Sequence, residues 1–345
     1  MGLPLAITAT GLVTGVGMSA PATCAAIRCA IDNFQETGFM DRDGEWILGC
    51  EVPMEKPWRG KTKLLKMAAA AIGEVIQDNP GINLVETPLL LCLAEHSRPG
   101  RIIDDDAQFF LDLQQELGVE FSDQSLVIAA GHVSAAVALK HAREMIFQQG
   151  VKHVLVASSD TMLVSPTLDH YETQERLLTS ENSNGFIPGE AGAAVLVESG
   201  EKQTQAVLNC DGLGFAVETA HVDSEEPLRA EGLTAAIKAS LTDAGCEMGD
   251  LDFRITDLSG EQYYFKEASL ALSRTLRQRK EEFDIWHPAD CVGEVGSSQG
   301  LIMLAVLKAA CEKDYTKGYR MFAHMGNDDG KRSSLVLTWR NGRGS

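Results

Sequence analysis

Residues 125–150 read SLVIAAGHVSAAVALKHAREMIFQQG, and the reading of this stretch decides the fold. It opens on an apolar run, Leu126 to Ala130, breaks at Gly131, and continues as a helix that is small or apolar on nearly every face as far as Leu139. Such a helix is buried rather than amphipathic. A buried strand, a sharp glycine turn and a buried helix start make a common site geometry. The helix N-terminus offers unpaired N–H groups and positive potential to whatever sits at the turn. The same pattern also suits a plain strand–helix unit in a large core, so the surroundings must decide.

Outward from this stretch, the chain repeats the idea. CVGEVGSSQGLIMLAVLKAACEK, residues 291–313, is a glycine-rich loop running into a second largely apolar helix. Before the central unit, Leu5 to Val13 reads as a strand, 20–30 as a helix, 33–60 as an irregular excursion, and Lys61 to Gln77 as a helix. Pro88 to Ala94 reads as a buried strand and Asp104 to Leu117 as an amphipathic helix. After it come a strand at Val154 to Ser158 and a polar loop over 159–185 that holds Asp169, His170 and Tyr171. GFIPGEAGAAVLVES, residues 185–199, is a turn, a small-residue run and a strand, in which Glu190 serves packing and turn geometry. Gly200 to Gln205 is a linker-like shift that divides the chain into halves, 1–200 and 201–345. The second half supplies strands at 205–213 and 253–258 and helices at 229–244 and 263–280. Closing strands at 319–323 and 334–339 flank the polar insert HMGNDDGKR.

Composition narrows the classes. With 345 residues, 44% hydrophobic but only 6% aromatic, and 32 glycines, the chain suits a tightly packed α/β protein of one large or two ordinary domains. A formal net charge of −19 repels phosphate backbones and anionic membranes, which excludes nucleic-acid binding. No apolar run nears the roughly 20 residues that span a bilayer. The first residues read as a strand and turn rather than a signal peptide. Eight cysteines without CxxC spacing imply reduced thiols and a cytoplasmic protein, with no zinc site and no cofactor fingerprint.

Four strings in order carry a family resemblance. GFIPGEAGAAVLVE, residues 185–198, resembles the G-F-x-x-G-E-G-A-x-x-x-V-L-E segment of β-ketoacyl synthases of the thiolase fold. ITATGLVTGVG is similar to that family's opening strand and turn, LTAAIKASLTDAGCEMGDLDF to the run before its first catalytic histidine, and VGEVGSSQGLIMLAVLKA to the segment around its second. The resemblance implies duplicated halves in a five-layer α-β-α-β-α architecture. It further implies a dimer, with itself or with a related subunit, paired through the strand after the nucleophile helix, here Val154 to Ser158.

The resemblance also implies a chemistry that this chain's residues do not support. The family uses a cysteine thiolate at the helix N-terminus, two histidines and a lysine. Counting back from Gly150 places Val133 at the nucleophile, with Gly131 and His132 as register alternatives. Asp257 stands for the first histidine, Glu294 for the second and Ala289 for the lysine. His324 falls near the family's gating phenylalanine. Valine forms no acyl-enzyme, and two carboxylates would repel an enolate. Claisen condensation through a cysteine-bound acyl group is therefore rejected.

What remains is a pocket of His132, Asp257, Cys291, Glu294 and His324. His132, Asp257 and Glu294 read either as a relic pocket of mutually satisfied polar groups or as a new acid/base or metal cluster. An isolated Cys291 is more often inert core than nucleophile. Residues 95–108, EHSRPGRIIDDDAQ, read as a surface loop and helix cap. The expectation is a non-catalytic accessory protein, comparable to the inactive subunit of a ketosynthase heterodimer. The alternatives are an enzyme with rebuilt chemistry, an acyltransferase or thioester hydrolase, and a non-turnover binder of acyl chains or acyl carrier protein. Acidity counts against the last, because both the carrier protein and its arm are anionic.

Overall fold

The structure is a computed structural model that describes residues 2–340. Its first half contains β1 (Leu5–Thr14), α1 (Ala20–Arg28), β2 (Gln35–Met40), β3 (Trp46–Gly49), α2 (Gly60–Asp78), β4 (Leu89–Leu93), α3 (Asp106–Leu117), β5 (Leu126–Ala129), α4 (Ser134–Gln148), β6 (Val154–Thr161), α5 (Ser165–Thr173) and β7 (Glu190–Ser199). The second contains β8 (Val207–Val217), α6 (Glu231–Ala244), β9 (Phe253–Thr256), α7 (Gln262–Thr275), β10 (Ile285–Trp286), α8 (Ala289–Val292), α9 (Gln299–Glu312), β11 (Arg320–Gly326) and β12 (Lys331–Arg340).

The strand order exposes the duplication. In the first half it is β5-β4-β6-β7-β1, and in the second β10-β9-β11-β12-β8. If each half's five strands are counted in chain order, both read 3-2-4-5-1. The halves join where Leu5, Ala6 and Ile7 of β1 pair antiparallel with β8, making one ten-stranded sheet. Alternation along each strand sends neighbouring side chains to opposite faces. Leu90 and Cys92 of β4 enter the central core with α4 and α9, whereas Leu89, Leu91 and Leu93 face α2 and α3. In the second half Met321 and Ala323 face the centre, and Phe322 and Val336 face α6 and α7. Outer helices, sheet, α4 with α9, sheet and outer helices are the five layers.

Helix α9 is buried at nearly every position from Gln299 to Leu307, as its uniform apolarity dictates. Among the described residues no helix is long and apolar enough to cross a membrane.

Three expectations need correction. Strand β6 is no edge: it lies between β4 and β7 and is buried from Val154 to Asp160, so it cannot pair with another subunit. The free edge of that half is β5, where Leu126 is 40% exposed. Residues 165–173, expected as loop, form α5, with Pro166 in its first turn and Tyr171 buried. Residues 33–60 are not wholly irregular, since β2 and β3 form a small antiparallel hairpin.

Candidate relic site

Two equivalent turns build the site. Gly131 (φ 57°) opens a single 3-10 turn before α4, and Gly296 (φ 54°) opens one before α9. Both need the left-handed backbone region, and both lack room for a side chain. A Cβ on Gly131 would meet Glu95 Oε2 at 2.4 Å, and one on Gly296 would meet Asp160 Oδ2 at 2.2 Å. Charged side chains therefore press directly against the backbone of each turn.

His132 leaves the first turn and reaches Glu294, two residues before Gly296, with Nε2 to Oε1 at 2.7 Å. The same Glu294 oxygen accepts the Gly296 N–H at 2.8 Å. Burial works against the imidazolium, but the Glu294 carboxylate outweighs it, helped by Asp257, and pushes the His132 pKa up to about 10. Burial would raise Glu294, yet His132 and the Gly296 N–H hold it below the usual carboxylate range. The two form an ion pair at neutral pH. Asp257, just past the end of β9, accepts the Gly326 N–H at 2.8 Å. Burial, only partly offset by His132 and that N–H, pushes its carboxyl up to about 7.

Around this core stands a shell that the sequence reading missed. Arg98 is buried, with Nη1 at 2.7 Å from Asp160 and Nη2 at 2.7 Å from Glu95. Arg176 bonds both oxygens of Glu261, at 2.6 and 3.0 Å, and both of Asp328, at 2.9 Å. Tyr171 and Tyr264 also donate to Asp328. These contacts hold Asp328 far below its ordinary range against the effect of burial. Asn327 accepts the Val133 N–H at 3.2 Å and donates to the Ala130 carbonyl at 2.8 Å. That N–H, at the head of α4, is thus already occupied.

The expected pocket residues part company here. His132, Asp257 and Glu294 line one cavity, together with Tyr171, Arg176 and Asp328 among others. Val133 is buried beside it, and Ala289 lies on α8, outside its lining. His324 belongs elsewhere. It sits in β11 beside Phe322, which packs toward α6, and burial with Arg254 and Arg332 pushes its pKa down to about 3. Cys291 faces a different hollow, and burial pushes its thiol up to about 11, too high for a nucleophile at neutral pH. Residues 95–108 are not simply surface, because Glu95 and Arg98 are built into the shell.

The cavity left among these side chains is ≈ 20 Å³. A single water needs about 10–15 Å³ by the same measure, so one water fills it. Among the described residues, fully buried side-chain polar atoms without a partner occur at positions such as His324 and Gln299, but at none of the residues of this cluster. No three of the described His, Cys, Asp or Glu residues are arranged to hold a metal ion.

Comparison with known proteins gives the fold a setting. No family model matches the chain. A polyketide beta-ketoacyl synthase 2 of Streptomyces cyaneus is 23% identical over 192 residues, which are 52% of this chain and only 45% of that protein. A type II polyketide-synthase acyl-carrier protein in complex with its ketosynthase superposes with a TM-score of 0.81 at 15% identity, over 98% of this chain and 100% of the other. The ishigamide ketosynthase/chain length factor gives 0.81 at 13% identity, over 99% and 100%. A ketosynthase in complex with its chain length factor from Xenorhabdus doucetiae gives 0.76 at 13%, over 98% of each chain. The chain has the thiolase-type fold of the ketosynthases.

Proposed function

We propose that this ketosynthase-fold chain is a non-catalytic partner protein rather than a condensing enzyme. One observation carries the reading: at the heads of α4 and α9, where the sequence match would put a catalytic cysteine and histidines, ion-paired side chains leave only a small cavity and, among the described residues of this cluster, no fully buried side-chain polar atom without a partner. Val133 offers no nucleophile. His132 and Glu294 neutralise each other, and Arg176 with Glu261 and Asp328 lines the same cavity of ≈ 20 Å³. An acyl chain or a pantetheine arm does not fit without breaking buried salt bridges.

Solved structures that pair a ketosynthase with a chain length factor support the partner role. In this chain the surface for it is β5, the free edge of the first half's strands. Its sequence, LVIA, lacks the Lys or Pro that protects exposed edges, and Leu126 is exposed. An antiparallel pairing of β5 with the equivalent strand of a second ketosynthase-fold subunit, identical or related, would cover it.

The rebuilt-enzyme reading has one observation in its favour, the Asp257 carboxyl titrating near neutrality beside an imidazolium. Its weakness is the nucleophile. The Ser259 hydroxyl bonds Glu294, a carboxylate held too acidic to be a strong base, and His132 lies beyond that carboxylate. The test is release of carbon dioxide from a malonyl thioester, measured with light scattering of the same sample. No decarboxylation, together with a dimer that Leu126→Lys reduces to monomer, is expected. Decarboxylation that His132→Ala abolishes would overturn the non-catalytic reading, and a monomer in every mixture would overturn the partner role of β5.

A further inference from the structure

Beside α8 lies an open hollow of ≈ 500 Å³. Its size falls within the range of about 300–1,000 Å³ typical of small-molecule pockets. The walls are apolar and come from four places in the chain. Ile27 belongs to α1, Trp286 to β10, Cys291 to α8 and Val306 to α9. Trp286 and Tyr315 stand nearly parallel, at 20°, with centroids 6.5 Å apart, and Phe253 backs Trp286 at 4.5 Å. Aromatic walls fixed from behind suit a flat guest, which gains from stacking with little loss of side-chain freedom.

The rim supplies one uncompensated charge. His287 Nδ1 lies 2.8 Å from the exposed carboxylate of Asp290, so that these two opposite charges stand together. Arg28 has no carboxylate partner among the described residues, and its exposed guanidinium rests 4.3 Å from the Tyr315 ring centroid. What sets Arg28 apart from the other arginines without an ion pair is its place at the mouth of an apolar, aromatic hollow, where its charge suits an anion. Its planar fork matches a carboxylate bidentately.

We propose that this hollow is a binding site for a small aromatic monocarboxylate, its ring against Trp286 and its carboxylate on Arg28. The site is separate from the His132 cluster and does not depend on the reading of that cluster. Isothermal titration with naphthalene-2-carboxylate tests it on the unmodified protein, with naphthalene-2-carboxamide as the neutral counterpart. Saturable one-to-one binding with a Kd on the order of 1 mM or tighter is expected, the amide binding about tenfold more weakly. Arg28→Gln brings the acid down to the affinity of the amide, Arg28→Lys recovers part of the loss, and Trp286→Leu weakens both ligands. No saturation, or equal affinity for acid and amide, would overturn the proposal. So would acid binding that Arg28→Gln leaves unchanged in a protein with native circular dichroism.

Discussion

Two hollows of the molecule are opposites. One, at the heads of α4 and α9, is rich in charged side chains and measures ≈ 20 Å³; the other, beside Trp286 and α8, is mostly apolar and measures ≈ 500 Å³. Only two residues, Val292 and Gly293, separate Cys291, on the wall of the second, from Glu294, in the first. The difference teaches that substituting catalytic residues need not leave an empty pocket. On the proposed reading, charged side chains that pair with one another fill this place, and the ion pairs work as a fastener between the two halves. Arg176, from the first half, grips Glu261 and Asp328 of the second, and His132 grips Glu294. Where space remains, it lies outside the fastener.

The contrast predicts unequal sensitivity to mutation. Arg176→Met strands the buried carboxylate of Glu261 and the half-buried one of Asp328, and should lower the unfolding free energy by about 3 kcal/mol, as breaking a buried pair does. Trp286→Leu, in a wall that is already half open, should cost less than about 2 kcal/mol. Equal losses in urea unfolding would mean that the network is no fastener.

Stability should also respond to pH through the first hollow. The folded pKa of His132, about 10, lies above its ordinary 6.5. Its contribution is therefore complete below about pH 6.5 and is lost as pH rises through about 10. Asp257, raised from 3.8 to about 7, penalises its own ionisation, so it also lowers stability as pH rises, but only up to about pH 7. Above about pH 9 the buried thiols, all raised by burial, lower stability as well. The part of the slope between pH 7 and 10 that comes from His132 is the part that His132→Gln should remove, up to a few kcal/mol over the interval. An unchanged slope in that variant would place the titrating group elsewhere.

The smallest effect is expected at the old nucleophile position. Val133→Cys is close to volume-conserving and should shift stability by less than about 1.5 kcal/mol. Its thiol should alkylate more slowly than exposed Cys29, because residue 133 is buried and Asn327 already takes its N–H. Condensation should stay absent, with Asp257, Glu294 and Ala289 where two histidines and a lysine would be needed. Faster labelling at 133 than at 29 would show that the site is open.

The duplicated fold was legible because two helices apolar on nearly every face, each after a glycine turn, stand one in each half, and four strings in order resemble a known family. Gly131 and Gly296 could be found from the residues alone. Which strand forms the edge could not. Interior β6 and edge β5 are both short apolar runs, and only the parallel crossovers through β4 separate them. The shell of the relic site was hidden for a different reason. An arginine in a polar stretch reads as solvated unless its partner is in view, and Arg98 meets Asp160 at a separation of 62 residues, Arg176 meets Glu261 at 85 and Asp328 at 152. Helix α5 did leave a signal, the Ser165–Pro166 start, but Asp169, His170 and Glu172 made the segment look like loop. His324 was placed by counting along the chain, which gives position but not the face of a strand. The alternation of β11 turns it away from the cavity.

The most direct test of the central claim is the intact mass of the unmodified protein after incubation with acetyl and malonyl thioesters of coenzyme A and of an acyl carrier protein. A closed network without a nucleophile predicts an unchanged mass at every time point, in the native protein and in Val133→Ala alike. An acyl adduct on any residue of the native protein, or thioester hydrolysis that disappears in His132→Ala, would contradict it and make the first hollow an active site.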